Sequence, residues 1–170
     1  MYVECNQGGD MSVTQELERL IRADSAERGQ AVSKLGYFCA PFRPVAGPLS
    51  DKVIKVYRGL RDVAELDRLA QCHHDYVAAL ALTGVELPQT EFYLLDIDGA
   101  RIPVIVQEAL PADSMMRPQI IAADLNGAVE MMEAAGQVIA TFWNNADKVR
   151  GRVGFHPSIR NFAYLDGRAL

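Results

Sequence analysis

The sequence predicts an α+β protein, an antiparallel sheet with one long helix set into the strand order and a smaller helical part after it. Three observations predict it. Two apolar runs flank Asp98-Gly99 in TEFYLLDIDGARIPVIVQEAL, the strongest short-range hairpin signal. Residues 34–58 mix aromatic and β-branched residues with the breakers Gly36, Pro41, Pro44, Gly47 and Pro48, which reads as strand, irregular turn, strand. Between these regions Val63, Leu66, Leu69, Ala70, His73, Tyr76, Val77 and Leu80 fall at three- and four-residue spacing, a long amphipathic helix that Gly84 ends.

Taken in order, residues 1–13 are polar and read as a loose tail. From Thr14 the positions Leu17, Leu20 and Ile21 have helical spacing, with Ser12 or Thr14 as N-cap, and this helix ends by Gly29. In DKVIKVYRG, Val53, Lys55 and Tyr57 share one strand face and Ile54 and Val56 the other. After the long helix and the Asp98-Gly99 hairpin, PADSMMRPQ reads as a proline-bearing loop. A further helix over residues 124–144 carries Val129, Met132, Ala135, Ile139, Phe142 and Trp143 as its apolar stripe. The loop GRVGFHPSIRN then precedes a hairpin turned at Asp166-Gly167. The expected organisation is a tail and helix over 1–33, a sheet-and-helix lobe over 34–110 and a partial second lobe over 111–170.

Composition bounds the class. A chain of 170 residues is one domain in size, burying about two-thirds of its unfolded-state surface. Hydrophobic residues at 49% and charged residues at 23% exclude disordered, collagen-like and coiled-coil classes. Seventeen Lys+Arg against 22 Asp+Glu give a net charge of −5, and with a pI near 5.2 nucleic acid is not an expected partner, although a local basic patch stays open. Cys5, Cys39 and Cys72 are odd in number and lack CxxC spacing, so they read as reduced thiols. With neither a signal-peptide pattern at the start nor an apolar run of the roughly 20 residues a spanning helix needs, a cytoplasmic protein without a membrane partner is expected.

Lys52-Val53-Ile54-Lys55 resembles the Val-Ala-Ile-Lys strand of the protein-kinase-like fold. The order of elements over residues 34–170 is similar to the same fold, in the divergent style of aminoglycoside phosphotransferases and small bacterial kinase-like proteins. The resemblance implies a kinase-like N-terminal lobe, with Lys55 contacting the α- and β-phosphates of ATP; a solvated lysine on an edge strand is the plainer reading. Glu65 is the best match to the glutamate that positions that lysine, with Asp67 and Asp75 as fallbacks, and it would equally favour a helix N-terminal turn. Val106-Gln107-Glu108-Ala109-Leu110 resembles the hinge between lobes, where backbone groups of Glu108 and Leu110 would bond the adenine edge.

Gly154-Phe155-His156-Pro157-Ser158-Ile159-Arg160-Asn161, followed by Phe162-Ala163-Tyr164-Leu165, resembles the catalytic loop of the family. Asn161 falls on its Mg²⁺-binding asparagine, and an amide oxygen suits that hard cation. Where the family has its catalytic aspartate stands His156, which could accept a hydroxyl proton or could be a structural hydrogen bonder. Two departures bear on activity. The Gly-x-Gly-x-x-Gly loop is missing, and the strand after Asp166-Gly167 stops at Leu170, before the family's metal-chelating aspartate. The expectation is therefore a degenerate or truncated kinase-like protein that binds ATP and Mg²⁺ and, if active, transfers the γ-phosphoryl group to a small-molecule hydroxyl. The alternative is a catalytically inactive pseudokinase-type module acting through a protein partner or as a homo-oligomer.

Overall fold

A computed structural model describes residues 7–23, 29–32, 39–57, 62–151 and 153–170. Mixed α+β architecture is what it shows. The elements in order are α1 (Gln7–Arg22), β1 (Gln30–Ala31), β2 (Cys39–Arg43), β3 (Lys52–Tyr57), α2 (Val63–Leu82), β4 (Thr90–Ile97), β5 (Ala100–Glu108), a 3₁₀ turn (Ala112–Ser114), α3 (Met116–Ala122), α4 (Leu125–Asn144), a second 3₁₀ turn (Ala146–Lys148), β6 (Tyr164–Leu165) and β7 (Arg168–Ala169). The chain divides into two compact units, residues 1–72 with 89–109 and residues 73–88 with 110–170. No helix among the described residues is long and apolar enough to cross a membrane.

In the first unit β1 to β5 form one antiparallel sheet in the order β1-β2-β3-β5-β4. The Asp98-Gly99 signal is a tight hairpin turn between β4 and β5, both residues taking the positive φ that a two-residue turn of this kind requires (53° and 78°). Alternation sets the faces. Ile54 stands opposite Phe42 on one side and Val106 on the other, and these three join Val104, Leu95 and Ile97 in one buried cluster. Leu17 and Leu20 of α1, fully buried, and Leu49 complete that cluster.

Residues 1–33, expected as a tail and helix, therefore include a helix that packs into the sheet's core. That helix also begins at Gln7, inside the expected tail. Gly8 and Gly9 hide it in the sequence, but each residue added to an anchored helix gains one bond without a new nucleation step. The sequence also missed the short strand β1. Gly29, just before it, lies so close to β2 that a Cβ would stand 2.2 Å from the Arg43 carbonyl oxygen, so only glycine fits there. The proposed breaker Gly36 lies outside the described residues.

In α2, Gly84 takes φ 80° while Val85 N–H bonds Leu80 O and Gly84 N–H bonds Ala81 O, the double closure of a glycine-terminated helix. In the second unit α3 and α4 pack through Met116, Met131 and Ala135, with Phe162 from the C-terminal segment. PADSMMRPQ, expected as loop, contains the start of α3; its Pro118 lies in the first turn, where no helical N–H is lost. Asp124 caps α4, its carboxylate accepting from Gly127 N–H at 2.8 Å. Asp124→Ala is expected to cost about 1 kcal/mol, a fall in Tm of roughly 2–4 °C by circular dichroism.

The apolar stripe expected on α4 needs correction. Met131, Ala135 and Phe142 face the core, whereas Leu125, Val129, Met132 and Trp143 are exposed. The helix is apolar around more than half of its circumference, so periodicity alone could not choose the buried side.

Candidate functional site

Lys55 sits at the centre of the sheet. Its strand is flanked by β2 and β5, with Pro41 and Ile105 as its direct neighbours, so the edge-strand reading does not hold. The alternation that buries Ile54 turns Lys55 to the opposite sheet face, together with Val53 and Tyr57. The side chain is half-buried, and its Nζ donates to Gln107 Oε1 at 2.8 Å. Gln107 Nε2 in turn donates to Thr90 Oγ1 at 3.2 Å. Burial holds the Lys55 ammonium below the ordinary lysine range, partly offset by the nearby Cys39. A cation only partly desolvated and held by a neutral amide keeps most of its charge for an anionic ligand.

Glu65 is elsewhere. It occupies the first turn of α2, exposed, and its N–H bonds Asp62 Oδ1 at 3.1 Å. Among the described residues no ion pair joins Lys55 to Glu65 or to any other carboxylate. The expected pair is thus not formed in this structure, because Gln107, diagonal to Lys55 across the β3–β5 ladder, satisfies the ammonium instead. Of the fallbacks, Asp67 bonds Arg101 at 3.3 Å and Asp75 is exposed on the second half of α2.

Glu108 ends β5 opposite Lys52, and its N–H donates to Gln89 O at 2.8 Å. The chain passes between the two units at Ala109 and Leu110. Leu110 follows outside any helix or strand, with no backbone–backbone hydrogen bond among the described residues.

His156 and Asn161 belong to the second unit, on one short closed loop. Asn161 Nδ2 donates to His156 O at 3.2 Å, and the same carbonyl accepts from Ser158 N–H at 2.8 Å. Asn161 N–H bonds Ser158 O at 2.7 Å. The loop is anchored by its apolar members. Phe155 stacks on Phe142 with ring centroids 4.6 Å apart, and Ile159 packs into the α3–α4 cluster, leaving His156 and Asn161 exposed. With Asn161 Nδ2 donating to the His156 carbonyl, the amide's Oδ1 is its acceptor atom.

Residues 16–170 match the profile of DUF6206, described as a family of unknown function. The chain belongs to the DUF6206 family. No curated protein and no solved structure matches it. The span shared with DUF6206 contains every candidate residue, Lys55, Glu65, Glu108, Leu110, His156 and Asn161. The sequence names Gln107 only within the hinge-like run and not as the partner of Lys55, and Thr90, which accepts from Gln107, went unnoticed. The available signal was an amide, Gln107, directly after the apolar run IPVIV.

Among the described residues no three His, Cys, Asp or Glu are grouped to hold a metal ion. Asn161 Oδ1 is a single neutral donor, and Mg²⁺ in nucleotide sites takes at least one carboxylate besides phosphate oxygens. The residues present do not by themselves fit a magnesium site.

Proposed function

We propose that this DUF6206 protein is a kinase-like nucleotide-binding protein in which Lys55 receives the phosphates of ATP. The observation that carries the reading is the setting of Lys55: a half-buried ammonium on the middle strand of a β1-β2-β3-β5-β4 sheet, with the long helix α2 inserted between β3 and β4. That order of elements is what the resemblance implies for the nucleotide-facing lobe. The loop closed by Asn161 on the His156 carbonyl supports the likeness to a catalytic loop. The reading covers binding; with Asn161 as the one candidate ligand among the described residues, no transfer step is assigned to Mg²⁺ or to His156. Cytoplasmic location belongs to the same proposal.

Thermal shift with Mg-ATP tests it. At 100 times its Kd a ligand stabilises the folded chain by about 2.7 kcal/mol, here a rise in Tm of roughly 5–10 °C. Absence of a shift at millimolar Mg-ATP contradicts the proposal. The second reading, an interaction module without chemistry, is favoured by the exposed apolar side of α4.

A further inference from the structure

The exposed residues of α4 are ordered. Leu125, Val129, Met132, Gly136, Ile139 and Trp143 follow one another at spacings of 4, 3, 4, 3 and 4 residues, the seam pattern of a two-helix coiled coil; all but Ile139, which is half-buried and also packs on the α3–α4 cluster, are exposed. Leu125 is 79% exposed, Val129 46%, Met132 52% and Trp143 64%, so the stripe lies beside the face buried through Met131, Ala135 and Phe142 and borders it at Ile139. It contains no charged residue. A Cβ built on Gly136 would have nothing within 4 Å, so the stripe has a gap at its middle.

From these facts we infer that two copies of this chain pair antiparallel through α4 about a two-fold axis at the height of Ala134. The stripe is its own complement under that rotation. Met132 of each copy fills the gap over Gly136 of the other, Val129 meets Ile139, and Leu125 meets Trp143, so every layer pairs a larger side chain with a smaller one. A helix of 20 residues is about 30 Å long, and closing the seam over that length buries roughly 1,100 Å² over both copies, near the lower limit of about 1,200 Å² for specific stable interfaces. The dimer is accordingly weak, with a Kd on the order of 10–100 µM. Glu133 borders the seam next to the axis, so the two copies bring like charges together there. This inference does not rest on the nucleotide reading.

Sedimentation equilibrium of the full chain from about 5 to 300 µM tests it. The expected result is a mass that rises from 18.7 kDa toward twice that value. Met132→Glu holds the chain monomeric throughout with an unchanged far-ultraviolet spectrum. Gly136→Leu faces open space in one copy and replaces the poorest helix former but proline, so Tm is kept or raised while the dimer weakens at least 10-fold. Glu133→Gln tightens it a few-fold. A chain monomeric over the whole range overturns the inference, and so does a dimer that Gly136→Leu leaves intact, since the copies then pair through another surface.

Discussion

Phe142→Ala is expected to destabilise the second unit by about 3–5 kcal/mol, the largest effect of any single truncation there. Phe142 is 2% exposed, packs with Leu80 and Val85, and meets two rings, Phe155 in a stacked arrangement and Trp143 edge-on at 5.2 Å. Alanine leaves a cavity among side chains drawn from α2, α4 and the segment after it, each held by its own element, so the surroundings relax only partially. The substitution also removes the surface on which Phe155 rests, one residue before His156. Hydrogen exchange is expected to rise at Asn161 N–H along with the fall in Tm. A loss under 1 kcal/mol in urea denaturation would show that Phe142 is not central to this core.

Lys55→Met is expected to act in opposite directions on stability and on binding. Burial places the Lys55 pKa below its unfolded value of 10.5, so between the two values the unfolded chain holds a proton that the folded chain has released. Stability contributed by this group therefore rises with pH across that interval. Below the folded value the penalty of the buried charge is complete, and above 10.5 it is gone. Methionine, of similar length and uncharged, removes the penalty, so the variant has a higher Tm than the native chain at neutral pH and loses this part of the alkaline rise. The Gln107 oxygen left without its donor offsets some of the gain, but a neutral oxygen costs less to desolvate than an ammonium. A charged contact to phosphate contributes about 1.5–3 kcal/mol, so the same change weakens ATP binding about 10–100-fold. Stability up and affinity down is the signature of a residue kept for a ligand.

Local chemistry made much of the fold legible. Asp98-Gly99 and Asp166-Gly167 impose hairpins, Gly84 closes α2, and Asp124 marks the start of α4 to the residue. Tertiary choices were not legible. The seating of Leu17 and Leu20 against the sheet, the buried side of α4 and the two-residue strand β1 depend on partners distant in sequence. The same division holds for the candidate site. The alternation around Lys55 and the five-residue interval between His156 and Asn161 could be read directly, and both correspond to observed geometry. The partner of Lys55 could not: the sequence nominated a carboxylate ten positions on, and the sheet register brings Gln107, 52 positions on, to the ammonium.

Calorimetric titration of Mg-ATP into the native chain and into Lys55→Met addresses the central proposal most directly, because it reads binding without reference to stability. The expected result is one nucleotide per chain for the native protein and at least 10-fold weaker binding for a variant that melts no lower. Heat absent from the native titration, or identical isotherms for the two proteins, would contradict a nucleotide site at Lys55.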